Sequence, residues 1–184
     1  IRDAYVTREP LEALAACLAV QSADAANLRR LREAAEREAR TLRERNLSEY
    51  IEANSDFHLT VAAMSNNKPL QAAIQGCLAL TNVCLAIFDP FYDVEADESR
   101  SNWEHRLIIE ALEARDPSWA EAAMRVHIRS SFAYLDIANI FAGQTANVAP
   151  ANFDFIIEVA EPRSTQMAEL ATALAGTAAH ELGH

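Results

Sequence analysis

The sequence places three histidines on helix faces that are otherwise mostly apolar. His58 follows Asn54 by four residues, so the two side chains share one face of a helix. His105 and His127 also have apolar residues at helical spacing. The apolar residues on the three faces are Ile51, Val61 and Ala62, then Ile108, Ile109 and Leu112, and finally Ala120, Ala123 and Met124. Because a buried polar group needs a partner, we expect the three imidazoles to converge inside a helical bundle, with Asn54 at the edge.

Three imidazoles that meet in an interior can hold a divalent transition metal. A single histidine on a helix face is more often a satisfied core residue, but three on separate helices favour a shared polar or metal site. Polar residues that are candidates for binding a ligand beside this site are Arg8, Asn82, Arg106, Arg129 and Tyr134. For each arginine, a surface ion pair is the simpler interpretation.

A second histidine motif ends the chain. His180-Glu181-Leu182-Gly183-His184 matches H-E-x-x-H, in which the histidines bind zinc and the glutamate is a general base. A catalytic zinc needs a third protein ligand, and the chain stops at His184. We interpret the motif as a chance match in an alanine-rich tail. A metal-dependent hydrolase that uses this motif or the three-histidine site remains the alternative function.

Composition predicts an all-α protein of one main domain. The chain has 184 residues, of which 51% are hydrophobic, and it contains only four glycines and six prolines, so long helices are favoured. The net charge of −11 gives this chain no basic surface for nucleic acid. No apolar run approaches the roughly 20 residues of a membrane span. Three cysteines without a C-x-x-C pair indicate the reducing cytoplasm.

Apolar periodicity and capping residues divide the chain into helices. The predicted helices cover about residues 3–21, 24–45, 48–65, 68–88, 97–115, 117–142 and 164–182. The helix over 68–88 is apolar nearly all round, so we expect it to pack centrally or against a second subunit in a homodimer. Residues 144–150 resemble a linker. We therefore predict a helical bundle over 1–143 and a separate tail over 144–184. Because the chain begins at Ile1 without methionine, we expect it to be part of a longer or processed protein.

Taken together, these motifs resemble the FCD family. These are the C-terminal effector-binding domains of FadR-type bacterial transcription regulators, within the GntR superfamily. The matching residues are Tyr5-Val6-Thr7-Arg8 with Leu11-Glu12, Phe57-His58 with Ser65-Asn66-Asn67, Glu104-His105 with Ile109 and Ala111-Leu112, and Asp116 with Ala120, Ala123-Met124 and His127. The resemblance covers about residues 3–142 and leaves out the tail.

The resemblance implies an all-α antiparallel bundle of about six to seven helices, which dimerises and encloses a small-molecule cavity. In metal-binding members an aspartate and three histidines hold a divalent cation, whose open positions receive a carboxylate of the effector. The matching positions here are Asn54, His58, His105 and His127. Asn54 departs from the pattern, because an amide carries no charge. Three imidazoles then favour Zn²⁺ or Ni²⁺ over Mg²⁺ or Ca²⁺.

The resemblance also implies a sensor rather than an enzyme. Its effector would be a small organic acid, since a divalent cation or an arginine enclosed in an apolar bundle attracts an anion. In the family, DNA is bound by a winged helix-turn-helix domain that precedes this one, and this chain does not encode it.

Overall fold

The computed structural model describes residues 2–87 and 100–141, apart from the side chains of 84, 86, 87 and 134–141. These two ranges contain six α-helices and no strand, so the predicted all-α class is confirmed. The helices are α1 (Arg2–Ala19, followed by a 3₁₀ turn at Val20–Ser22), α2 (Ala25–Glu44), α3 (Leu47–Met64), α4 (Lys68–Ile87), α5 (Arg100–Glu113) and α6 (Pro117–Phe141). None of these helices is long and apolar enough to cross a membrane.

Short connections fold the helices back on one another. Two or three residues separate α2 from α3, α3 from α4, and α5 from α6, and such short connections join antiparallel neighbours. α1 packs against α6, α4 and α3, while α2 packs against α3 and α5. The predicted linker and tail helix lie outside the described residues. The division of the chain at residue 143 therefore stays a prediction.

Side-chain caps set the starts of the helices that carry the histidines. The carboxylate of Asp116 accepts a hydrogen bond of 3.0 Å from the backbone N–H of Trp119, as its position before Pro117 predicts. Asn46 caps α3 in the same way, by accepting from the N–H of Glu49 at 3.3 Å. Because of this cap, α3 begins at residue 47, one residue earlier than the sequence predicted.

The core is formed where the histidine-bearing faces of α3, α5 and α6 meet. Phe57, Ile108 and Met124 are fully buried, and each lies within three residues of one of the histidines. Burial of each such side chain contributes about 1.5–3 kcal/mol to folding. The packing that stabilises the bundle therefore also brings the three imidazoles inside it.

The cap of α6 can be tested directly. We expect Asp116→Ala to lower the free energy of unfolding by about 1 kcal/mol, because the first turn of α6 loses its side-chain acceptor. Ser118→Ala, at an exposed position in the same turn, should change it by less than about 0.5 kcal/mol. Urea denaturation followed by circular dichroism measures both. Equal effects of the two substitutions would contradict the capping role.

Candidate metal centre

The imidazoles of His58, His105 and His127 meet inside the bundle. They project from α3, α5 and α6, and each residue is at most 2% exposed. Nε2 of His127 lies 3.2 Å from Nε2 of His105 and 3.2 Å from Nε2 of His58. The three histidines offer ligand atoms that all lie within 4.8 Å of one another. The predicted convergence of these side chains is confirmed.

A buried glutamate contacts the Nδ1 atom of each histidine. The pairs are Glu12 of α1 with His58, Glu38 of α2 with His105 at 2.6 Å, and Glu104 of α5 with His127 at 2.9 Å. An ionised carboxylate only accepts hydrogen bonds, so it holds the proton of a neutral imidazole on Nδ1. Nε2 is then left with a lone pair. Sequence reasoning missed these three glutamates as members of the site.

Three Nε2 lone pairs that face one another repel unless a cation or a proton lies between them. The arrangement of carboxylate, Nδ1–H and outward Nε2 is the one that orients histidine ligands on metal ions. Phe57 stacks on His105 with ring centroids 3.9 Å apart, which keeps water from that side of the cluster. The donor set and its surroundings therefore fit a divalent transition metal held by His58, His105 and His127.

The histidines are electrostatically prepared to act as ligands. Burial lowers the pKa of His58 to about 3, against the opposing attraction of Glu12. Burial also lowers the pKa of His127 well below its usual range, and the positive charge of Arg8 lowers it further. Both imidazoles are therefore neutral near pH 7. A metal that binds them does not have to displace a proton.

Two of the glutamates remain ionised although they are buried. Burial by itself would raise the pKa of Glu12, but Arg8 and His58 outweigh it and bring the pKa down to about 2. Burial also acts to raise the pKa of Glu38, and His105 outweighs it, so this pKa too is lowered. Both carboxylates can therefore serve as fixed acceptors for the imidazole N–H groups.

Glu104 behaves differently. Burial raises its pKa to about 7, although Arg100 and the hydroxyl of Ser130 favour the charged form. Ser130 Oγ lies 2.7 Å from both carboxylate oxygens. A proton on Glu104 lets His127 take the other tautomer and donate from Nε2 to a neighbouring imidazole. One proton added to Glu104 therefore relieves part of the repulsion among the Nε2 lone pairs when no metal is bound.

A buried arginine adjoins the centre. Arg8 is 2% exposed, its Nε donates to Glu12, and its Nη1 donates to Thr81 Oγ1 at 3.3 Å. Nη2 of Arg8 is buried and has no hydrogen-bond partner among the described residues. With Glu12, Glu38 and Arg8 ionised, the buried groups carry a net charge of −1, and ionisation of Glu104, whose pKa is about 7, brings that charge to −2. A divalent cation would neutralise that charge.

The other residues that the sequence suggested have different surroundings. Asn54 is buried on α3, one turn before His58, and its role as a metal ligand stays a prediction. The Nδ2 group of Asn82 donates to Ser55 at 2.9 Å, while its Oδ1 is buried without a partner among the described residues. The side chain of Tyr134 lies outside the described residues, as does the H-E-x-x-H motif at 180–184.

Two of the suggested arginines lie on the surface. Arg106 is exposed and lines a groove between α2 and α5, which also includes Arg32 and Asn102. Arg129 is exposed and donates to Glu9 at 2.8 Å. The structure therefore puts both guanidinium groups outside the buried centre. Their role in binding a ligand stays a prediction.

Comparison with known proteins agrees with this geometry. The model of the FCD domain family matches residues 3–130. Among solved structures, E. coli McbR/YncC is similar, with a TM-score of 0.66 and 20% sequence identity over 74% of this chain and 67% of that chain. At that identity the likeness shows the fold alone. No curated protein sequence matches the chain significantly.

The buried histidines predict how the stability of the metal-free protein depends on pH. His58 and His127 stay neutral when folded but take up protons below about pH 6.5 when unfolded. Glu104 acts in the opposite sense, because its pKa is about 7 when folded and 4.5 when unfolded. Between about pH 6.5 and 4.5 the unfolded state therefore binds more protons, so stability should fall as the pH falls.

Urea midpoints measured in chelator from pH 7 to pH 5 test this expectation. Glu104→Gln removes the opposing group, so its midpoint should fall more steeply with decreasing pH than that of the unmodified protein. A midpoint that stays level or rises toward pH 5 would refute the assignment of neutral buried imidazoles.

Proposed function

Because this chain belongs to the FCD domain family, we propose that it is the effector-binding and dimerisation domain of a GntR-type transcription regulator. It senses a small organic acid at the three-histidine centre. The observation that carries the proposal is the set of three Nε2 atoms that face one another, each backed by a buried carboxylate. Three such pairs in one interior are costly to bury and serve no packing need.

The metal proposed for this centre is Zn²⁺ or Ni²⁺. His58, His105 and His127 would hold it, with the amide oxygen of Asn54 as a further ligand at the edge. Neutral nitrogen ligands suit these ions better than Mg²⁺ or Ca²⁺, which prefer oxygen. The bound metal would supply open coordination positions for a carboxylate. The net charge from the surrounding glutamates and Arg8, −1 with Glu104 protonated and −2 with it ionised, supports a cation at this position.

An organic acid suits two buried polar atoms, one on Asn82 and one on Arg8, which is joined to His58 through Glu12. The Nη2 of Arg8 is a buried donor without a partner among the described residues, and a carboxylate is the acceptor that matches a guanidinium. Asn82 follows Thr81, whose hydroxyl contacts Arg8, and the buried Oδ1 of Asn82 can accept from a hydroxyl group. These two groups favour an acid that also carries a hydroxyl, as sugar acids do.

The contacts within the centre support a sensor more than a hydrolase. Glu12, Glu38 and Glu104 each contact an Nδ1 atom, so they orient imidazoles and are not placed to take a proton from water. In the proposed regulator, DNA is bound by a separate winged helix-turn-helix domain, because this chain is acidic, with a net charge of −11. The acid would favour one arrangement of the helices and so bias how those domains are held.

Metal analysis followed by calorimetry tests the proposal. We expect the purified chain to hold a divalent transition metal and to bind mono- or dicarboxylates more weakly after chelation. His105→Ala should lower both metal content and thermal stability. Ser101→Ala is the matched control, because it removes a hydrogen bond to the same Glu38 and leaves the imidazole in place. Unchanged metal content in His105→Ala, or binding of neutral and cationic compounds only, would refute the proposal.

An apolar surface on α1 and α4 supports the proposed homodimer. Val6 and Leu14 of α1, and Leu80 and Val83 of α4, are 46–62% exposed, and the two helices pack side by side. Contiguous exposed apolar side chains commonly mark a protein interface. A second copy of the same chain could cover this surface on both subunits at once.

Sedimentation velocity at micromolar concentration tests the dimer. We expect the unmodified chain to sediment as a dimer and Leu80→Glu/Val83→Glu to sediment as a monomer, because two carboxylates on the same turn of α4 oppose burial of this surface. Ala26→Glu, at an exposed position on α2, should leave the dimer intact. A monomeric unmodified chain would contradict this part of the proposal.

A further inference from the structure

Glu12 shares its carboxylate between a metal-ligand candidate and the buried arginine. One oxygen accepts a hydrogen bond from Arg8 Nε, and the other contacts Nδ1 of His58. All three side chains are at most 3% exposed, so solvent does not screen their charges. Arg8 and His58 are thus joined through a single carboxylate.

The other two glutamates lack such a link. Glu38 contacts His105 on one side and the hydroxyl of Ser101 on the other. Glu104 contacts Arg100, but the side chain of Arg100 is 44% exposed and its charge is screened by water. Among the described residues, Glu12 is the carboxylate that connects a histidine of the centre to a buried cation.

This connection has a physical consequence for ligand binding. A carboxylate that is strongly attracted by Arg8 attracts the Nδ1–H of His58 less, because its negative charge is divided between two partners. An anion that takes the vacant Nη2 donor of Arg8 draws part of that attraction away from Glu12. Glu12 then attracts the Nδ1–H of His58 more strongly, which makes the imidazole a better metal ligand.

We propose that Glu12 is a positioning residue that couples an organic anion at Arg8 to a divalent cation at His58, so that each tightens the binding of the other. The coupling is reciprocal by thermodynamic necessity. It rests on the proposed function, because it presupposes a metal and an acid in the same centre. It goes beyond that function by assigning the communication between the two ligands to one side chain.

The experiment measures zinc affinity with and without saturating acetate, by competition with a chromophoric chelator. In the unmodified chain, acetate should tighten zinc binding at least about fivefold, the lower end of typical coupling between two ligands. Glu38→Gln is the matched control. It removes the carboxylate from another Nδ1 atom, so it should weaken zinc binding about 10–100-fold and keep the acetate effect. Glu12→Gln should weaken zinc binding similarly and reduce the acetate effect to nearly none.

A second variant covers the case in which Glu12→Gln fails to fold. Arg8→Lys keeps the positive charge beside Glu12 but removes the vacant guanidinium nitrogen, so it should lose the acetate effect and retain most of the zinc affinity. An acetate effect of equal size in the unmodified chain, Glu12→Gln and Arg8→Lys would overturn the inference. The inference would also be overturned if the unmodified chain binds both zinc and acetate and neither ligand changes the affinity for the other. If the unmodified chain binds neither ligand, the proposed function fails as well.

Discussion

Close contacts between three buried glutamates and the Nδ1 atoms of three histidines govern the interior of this bundle. They hold the protons on Nδ1, turn the Nε2 lone pairs toward one point, and keep the imidazole rings in place. The glutamates come from α1, α2 and α5, while the histidines come from α3, α5 and α6. Five of the six described helices must therefore be correctly packed before the centre exists. The caps at Asn46 and Asp116 contribute to this indirectly, because they set where α3 and α6 begin.

Burying three glutamates beside three histidines is energetically unfavourable in a small bundle. Each buried ion costs several kcal/mol of lost hydration, and pairing repays that cost only when hydrogen bonds complete the geometry. Glu12 and Glu38 meet this condition, and their pKa values stay low despite burial. Glu104 meets it less well, and burial raises its pKa to about 7. Apolar residues at these positions would serve packing at least as well. The burial of this polar centre therefore supports the proposed metal site.

The sequence predicts the histidines well and their partners poorly, for physical reasons. His58, His105 and His127 stand out because each interrupts an apolar face at helical spacing. Glu38 occupies the same face of α2 as Leu31 and Leu42, seven residues after the first and four before the second. Its burial is not evident from the sequence, because Glu38 lies in an Arg/Glu-rich segment that resembles a solvated surface. Arg106 follows His105 directly, but one residue turns the helix by about 100°, which takes its side chain to the exposed side. Local periodicity thus identifies an inward face, whereas pairing between helices depends on tertiary packing.

Helix α1 contributes side chains both to the buried centre and to the exposed apolar surface. Arg8 and Glu12 lie on its inner side, and Val6 and Leu14 lie on its outer side, with all four within about two and a half turns. The two faces belong to one helix, although Pro10 lies between them and lacks the backbone N–H that would continue the helical hydrogen bonds. A shift of α1 at the buried arginine can therefore also displace the apolar outer surface. A substitution on either face can then alter behaviour at the other, even though no side chain spans the two.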